Sequence, residues 1–246
     1  MLNVSAATLM QHLVFLFLLV VAPIWDFYAT RKLKRNPGSE QKIRYYKTLC
    51  AWLWMASALA VVPIGFRALF TITASPGEIS WLLPHAGVRY LVEALIAMLI
   101  ILSVVLPLGM VMWKKLTKRP RKYSSGALES FSYFFPATWT ERRWWVFLSI
   151  TAGVCEETLF RGFMLHYLHV FPWTLNLTLA LLISSMIFGF NHVYQGAGGV
   201  AGTALVGFLF GLLFLLTGNL VLPMLFHGVM DLRMLALLRP PADTPS

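Results

Sequence analysis

Three groups of ionisable residues in the second half of the chain lie within apolar sequence. The first contains the adjacent Glu156 and Glu157, with Arg161 four residues later. A carboxylate inside a bilayer is energetically costly, so such residues usually face a protein interior or an aqueous cavity and mark a functional site. Residues four apart share one helix face, so Glu157 and Arg161 can form an ion pair while Glu156 faces elsewhere. Two acids in different environments are suited to acid–base chemistry.

The other two groups each contain a histidine. His192 ends an apolar segment, and Phe188 precedes it by one helical turn. His227 and Asp231 are again four apart, and an aspartate so placed can fix the tautomer and orientation of the imidazole. A helix rises about 1.5 Å per residue, and the resulting depths allow all three groups to border one cavity. The competing interpretation is that these ionisable side chains have a purely structural role.

The composition is that of a protein embedded in a membrane. Hydrophobic residues make up 58% of the 246 residues and charged residues only 12%, which predicts a polytopic membrane protein. We therefore predict an all-α membrane helix bundle of about seven transmembrane helices, with the active site inside it. Six or eight crossings are also compatible. Stretches of about 20 residues that could span the bilayer occur at 9–28, 48–70, 88–112, 144–167, 174–192, 200–217 and 219–238.

We expect residues 1–246 to form a single integral membrane domain. Residues 1–112 would supply N-terminal membrane helices, 113–143 a basic cytoplasmic and interfacial segment, and 144–238 the catalytic helices. The first hydrophobic segment lacks a basic region before it, so it is interpreted as a retained anchor. The formal net charge is +10, but the basic residues lie in loops. This pattern predicts contact with the lipid bilayer and no nucleic-acid partner.

The distribution of lysine and arginine predicts the orientation in the membrane. Seventeen of these residues fall on one side of the predicted helices and two on the other. The basic side should be cytoplasmic, which places the N-terminus outside and the C-terminus inside a multi-pass protein. This would be the cell membrane in a prokaryote. Cys50 and Cys155 lie in apolar surroundings and are interpreted as packing residues.

Taken in order, the polar groups resemble the signature of the CPBP family of intramembrane proteases. That family includes the type II CAAX prenyl endopeptidases and bacteriocin-processing, Abi-like proteins. The resemblance covers about residues 144–235. It rests on Glu156-Glu157-x-x-x-Arg161, Phe188-x-x-x-His192 and His227-x-x-x-Asp231.

The resemblance implies an endopeptidase that cleaves a membrane-associated protein or peptide. Glu156 would activate water, His192 would position that water or exchange protons, and Glu157 with Arg161 would form a supporting pair. His227 and Asp231 would stabilise the oxyanion. An ionised aspartate cannot donate a hydrogen bond, so Asp231 either orients His227 or is protonated.

Cofactor and substrate are less defined by the sequence. Proteins of this family have been called metallopeptidases, but the chain has no His-Glu-x-x-His motif. A zinc site would require Glu156, His192 and His227 from three helices, and we favour metal-independent chemistry. Prenylated CAAX tails, leader peptides and sorting anchors are all compatible substrates, and the oligomeric state is open.

Two functions of other classes compete with the protease. The same acids and histidines could form a proton or cation path, although no duplicated halves typical of many transporters are evident. The scaffold could also serve as a non-catalytic immunity or binding protein.

Overall fold

The computed structural model describes residues 5–70, scattered positions between 90 and 113, and residues 133–238. Every regular element in these ranges is helical, and the predicted all-α membrane bundle is confirmed. Helices cover six of the seven predicted hydrophobic segments. The remaining segment, 88–112, lies mostly outside the described residues, and so do residues 114–132 of the predicted basic segment.

The N-terminal part is a pair of long helices followed by a short one. Helix α1 (Ala6–Arg35) contains π-helical turns at Phe17–Val21, and α2 (Ser39–Ile64) packs against it. Both are long and apolar enough to cross a membrane. Gly65, with φ of +87°, ends α2 in a conformation that favours glycine. The short α3 (Phe66–Phe70) follows.

Four helices form the second half of the molecule. Helix α4 (Trp139–Glu157) continues through π-helical turns (Thr158–Met164) into a last helical stretch (Leu165–His169). The others are α5 (Leu177–Phe190), α6 (Gly196–Thr217) and α7 (Val221–Leu237). A short 3-10 turn precedes α6. Together they form the continuous stretch Val193–Thr217, the third helix long and apolar enough to span a membrane among the described residues.

Helix α4 lies between α2 and α7 and contacts both. Its crossing with α7 depends on Gly153, because a Cβ atom there would lie 2.7 Å from the carbonyl oxygen of Met224 and 2.9 Å from the nitrogen of Gly228. Such separations are shorter than normal van der Waals contact, so only glycine allows the two backbones this close. The crossing brings the acidic stretch of α4 next to the histidine of α7.

Small residues also allow α5 and α6 to approach each other. A Cβ atom at Gly207 would lie 2.9 Å from the ring of Phe188, and one at Gly211 would lie 2.2 Å from Leu181. Nothing lies within 4 Å of the corresponding positions at Gly198 and Gly202. Of the glycines spaced four apart in α6, Gly207 and Gly211 therefore show the close packing that small residues predict. The first half of α6 is approached through Gly189 of α5, where a Cβ atom would lie 2.7 Å from the carbonyl oxygen of Val200.

The two cysteines are free and buried, Cys50 in α2 and Cys155 in α4. The interpretation of both as packing residues agrees with this placement. Cys155 belongs to the main hydrophobic core, which also contains buried leucine and phenylalanine side chains from α4, α5 and α6. This core surrounds the polar groups described next.

Candidate active site

Glu157 is the centre of a buried polar network. Its side chain is fully buried, and its Oε1 accepts hydrogen bonds from Nη1 of Arg161 at 2.9 Å and from Nδ1 of His227 at 2.7 Å. The ion pair expected from the four-residue spacing is therefore present. The bond to His227 joins residues seventy positions apart, and no sequence pattern predicted it.

Arg161 is held by groups from three helices. Besides Glu157, it contacts α6, where its Nη2 donates to the carbonyl oxygen of Gly207 at 3.0 Å. Its guanidinium lies 4.4 Å from the ring centre of Phe188 and 5.6 Å from that of Phe210. A buried charge is tolerated when it is paired and hydrogen-bonded, and the aromatic faces add cation–π attraction. Arg161 therefore ties α4 to α5 and α6 at the depth of the two glutamates.

Glu156 has surroundings different from those of its neighbour. Its side chain is 14% exposed, and its Oε2 lies 3.8 Å from Nε2 of His227, beyond direct hydrogen-bond distance. Among the residues that the structure describes, this Oε2 has no hydrogen-bond partner. One carboxylate of the adjacent pair is thus fixed by protein groups, and the other borders open space.

One hydrogen bond defines the orientation of His227. A carboxylate can only accept, so Nδ1 is the donor to Glu157 and carries a proton. Nε2 then faces two carboxylates, Glu156 at 3.8 Å and Asp231 at 3.9 Å. The bond that fixes the ring comes from Glu157, and not from Asp231, the partner that the four-residue spacing indicated. Asp231, whose side chain is 36% exposed, instead lies beside the opposite ring nitrogen.

His192 lies just after α5 and is oriented by the last turn of that helix. Nδ1 lies 2.9 Å from the carbonyl oxygen of Phe188, which can only accept, so this nitrogen also carries a proton. Nε2 of the neutral ring is then an acceptor. The Phe188 ring lies 4.8 Å from the His192 ring and 6.0 Å from the His227 ring. The Phe188-x-x-x-His192 spacing therefore places one aromatic ring against both imidazoles.

One cavity of about 620 Å³ connects these groups. Its lining includes Glu156 of α4, His192 of the turn that follows α5, and His227 and Asp231 of α7. The shared cavity expected from the depths of the three groups is therefore present. A second cavity of about 110 Å³, lined mainly by apolar residues of α1 and α2, also reaches Glu156 and His192.

Residues 133–135, which we call the aromatic segment, belong to the predicted interfacial segment and form part of the cavity wall. Phe134 and Phe135 line the larger cavity. Phe134 also packs against Trp145 and against Tyr194, whose side chain lines both cavities. Phe134, Phe135 and Tyr194 lie outside the three motifs, and no spacing in the sequence singles them out.

A second buried ion pair fixes the aromatic segment. Lys42 of α2 lies 3.5 Å from Glu141 at the start of α4, with side chains 6% and 2% exposed. Lys42 also donates to the carbonyl oxygen of Phe135 at 2.8 Å, and Glu141 accepts from the backbone nitrogen of Ala137 at 2.7 Å. Lys42 therefore differs from the loop cations that the sequence predicts, because it lies within α2 and its side chain is buried and paired.

The geometry does not provide a metal centre in the part of the chain that the structure describes. No group of three or more histidine, cysteine, aspartate or glutamate side chains there could hold a metal ion. Glu156, His192 and His227, the expected ligands if zinc binds, do not form such a group.

Comparison with known proteins identifies one family. Residues 138–233 match the family model described as type II CAAX prenyl endopeptidase Rce1-like. The matched range contains all three polar motifs and most of α4 to α7. This finding confirms the family expected from the motifs and supports an intramembrane protease of the CAAX type. No curated protein and no solved structure gives a significant match to the chain.

Proposed function

Because residues 138–233 match the Rce1-like family model, we propose that the protein hydrolyses a peptide bond of a membrane-associated protein or peptide, with Glu156 as the base that activates water. The observation that carries this proposal is the contrast within the acidic pair. Glu157 is fully buried, and its Oε1 is bound by Arg161 and His227, whereas Glu156 is 14% exposed and lines the cavity. A base must reach the proton it abstracts, and Glu156 is placed for this.

In the proposed first step, a water molecule lies between Glu156 and Nε2 of His192. The Glu156 carboxylate takes a proton from the water while the water oxygen attacks the substrate carbonyl carbon. A C–O bond forms, and the carbonyl π electrons move onto the carbonyl oxygen. In the second step, Glu156 gives the proton to the leaving nitrogen as the C–N bond breaks. Glu156 thus returns to its starting state.

The negative charge on the carbonyl oxygen needs a donor, and we assign this role to His227. Its Nδ1–H is bonded to Glu157, so in the imidazolium form the Nε2–H is the donor that remains. Preorganised donors of this kind are often the largest single contribution to catalysis. An ionised Asp231 cannot donate, so we assign to it stabilisation of the positive charge on His227 from 3.9 Å.

We further propose that the substrate is a prenylated CAAX tail presented from the cytoplasmic side. The description of the matched family names this class. The cavity walls include Phe134, Phe135 and Phe210, which suit apolar substrate side chains. Arg142 and Arg143 lie at the start of α4, and the positive-inside rule places such residues at the cytoplasmic face.

The test uses protein purified in lipid nanodiscs and a fluorescence-quenched peptide that ends in a prenylated CAAX sequence. Wild-type protein should cleave the peptide, and Glu156→Gln should lower the rate at least about 1,000-fold with an unchanged melting temperature, since general base catalysis and water positioning are lost together. Glu40→Gln is the control, because Glu40 is an exposed acid paired with Arg44. Wild-type rates in Glu156→Gln would contradict the proposal.

A further inference from the structure

A buried hydroxyl group on α4 lacks a partner in the described part of the chain. Ser149 is 1% exposed, and its Oγ makes no hydrogen bond there. Other buried hydroxyl groups nearby are satisfied by backbone carbonyl oxygens, as Ser184 is by Phe160 and Ser185 is by Leu181. Buried polar groups are paired in nearly all proteins. The exception at Ser149 therefore points to a partner from outside the described chain.

The position of Ser149 shows where that partner would be. Ser149, Ala152 and Glu156 all line the cavity of about 620 Å³. Their spacings of three and four residues place them on one face of α4. The hydroxyl is attached through one rotatable bond, so a single χ1 angle sets its direction at the cavity wall.

The distance along α4 relates Ser149 to the proposed cleavage point. Seven residues separate it from Glu156, which corresponds to about 10 Å at about 1.5 Å per residue. An extended peptide covers that distance with about three residues at about 3.3 Å each. The peptide bond nearest Ser149 would therefore lie about three residues from the bond that is cleaved.

An extended substrate brings its own unsatisfied groups into this space. Each main-chain amide carries a donor and an acceptor that lose water on entering an apolar cavity. The neighbouring lining residues Phe135, Trp145 and Leu148 offer mainly apolar surface. A serine hydroxyl can both donate and accept, so its chemistry matches a main-chain amide.

We propose that Ser149 is a substrate-binding residue that hydrogen-bonds a main-chain amide about three residues from the scissile bond. This proposal rests on the proposed function and adds a specific subsite to it. The bond would hold the peptide in register, so that only one of its carbonyl groups lies at Glu156. The class of ligand is an extended peptide backbone, whatever its side chains.

The experiment measures binding separately from cleavage. Glu156→Gln protein in nanodiscs is titrated into a fluorescent prenylated CAAX peptide, and the affinity is read by anisotropy. Adding Ser149→Ala should weaken binding about fivefold to tenfold, the loss expected for one hydrogen bond. Ser185→Ala is the matched control, because its hydroxyl is buried but bonded to its own helix, and it should bind as the parent does. Ser149→Cys, which preserves volume, should also weaken binding.

Substrate analogues make the test specific to the main chain. Each amide near the cleavage point is replaced in turn by an ester, which removes the N–H and weakens the carbonyl acceptor. At one position the ester should weaken binding to the Glu156→Gln protein. The same ester should cause no further loss of affinity when Ser149→Ala is also present, because the two changes remove the same hydrogen bond. The proposal would be overturned if Ser149→Ala left the peptide affinity unchanged, or if the effects of the ester and of Ser149→Ala were additive at every position. It would also be overturned if the peptide did not bind the Glu156→Gln protein.

The proposed function fails by a different observation. Cleavage of the all-amide peptide by Glu156→Gln would contradict the assignment of Glu156, while the anisotropy comparison would still report on Ser149. In protein with Glu156 intact, Ser149→Ala should raise KM and change kcat by less than about twofold, because uniform binding is lost. An equal fall of kcat and kcat/KM would overturn the binding role.

Discussion

Two buried ion pairs border the cavity, and they are built in different ways. Glu157 and Arg161 are one helical turn apart in α4 and continue into His227, a group proposed to react. Lys42 and Glu141 are 99 residues apart and continue into the backbone of the aromatic segment. Neither pair is stable in isolation, since desolvating two charges offsets most of their attraction. In each case a further hydrogen bond offsets part of that cost, from His227 to Glu157 in one pair and from Lys42 to the carbonyl oxygen of Phe135 in the other.

The difference between the pairs predicts a difference in function. The inner pair, Glu157–Arg161, orients the imidazole that faces the reacting bond, so disturbing it should lower kcat as well as stability. The outer pair, Lys42–Glu141, fixes a wall of the cavity, so disturbing it should act mainly on substrate binding. The following substitutions test that separation.

The largest effect is expected for Arg161→Met. It leaves the fully buried Glu157 without its cation, and breaking a buried pair from one side costs about 3–5 kcal/mol of stability. Activity should fall at least about 100-fold, because Glu157 without Arg161 no longer holds the His227 ring in one orientation. Thermal unfolding in nanodiscs and the peptide cleavage assay measure both effects. The double variant Glu157→Gln/Arg161→Met should recover part of the stability but little activity, and full recovery of activity would show that the inner pair is only structural.

Gly207→Ala should give the next largest effect. The added Cβ would lie 2.9 Å from the Phe188 ring and 3.2 Å from Nη2 of Arg161, so the inner network must shift. Overpacking of this kind costs about 1–3 kcal/mol, and kcat should fall with it. Gly202→Ala is the control on the same helix, because nothing lies within 4 Å of its Cβ position. Equal effects of the two substitutions on kcat would contradict the role given to the inner pair.

Lys42→Met tests the outer pair. Glu141 would remain buried without its cation, and the carbonyl of Phe135 would lose its donor. We expect KM to rise about fivefold or more while kcat changes by less than about twofold, since wall geometry affects substrate binding. Arg44→Met, which breaks an exposed pair with Glu40, should change neither value. A fall in kcat without a change in KM would remove the distinction between the two pairs.

The smallest effect concerns acid stability. Burial raises the pKa of Glu141, but hydrogen bonds from Ala137, Ser39 and Thr138 together with the charge of Lys42 outweigh it and hold the pKa below its usual range. A lowered pKa means that this carboxylate stabilises the fold at neutral pH and loses that contribution below about pH 4, when it is protonated. The difference in melting temperature between wild type and Glu141→Gln should therefore shrink on acidification. A difference that grows would contradict this sign.

The sequence predicted the parts of the site that depend on local spacing. The Glu157–Arg161 pair follows from helical periodicity, and the Phe188-x-x-x-His192 spacing places an aromatic ring against the imidazole. The shared cavity followed from comparing depths along apolar helices. These features need only the geometry of a single helix or the thickness of a bilayer.

Contacts between distant segments could not be read in the same way. The bond from His227 to Glu157 requires α4 and α7 to cross at Gly153, and a lone glycine does not identify its partner helix. The pairing of Lys42 with Glu141 was equally hidden, because a lysine near a helix start is usually solvated. The role proposed for Ser149 could not be predicted from the sequence, because a single serine in an apolar helix is common. Tertiary packing decides which of these polar groups meet.

The central claim is that water activated by Glu156 attacks the peptide bond. A single-turnover reaction in H₂¹⁸O, with enzyme in excess over the prenylated CAAX peptide, tests this directly by mass spectrometry of the new carboxyl terminus. Direct attack by water predicts one ¹⁸O atom in the product of the first turnover. Product that carries only ¹⁶O would show that a protein oxygen had attacked first, and would contradict the account.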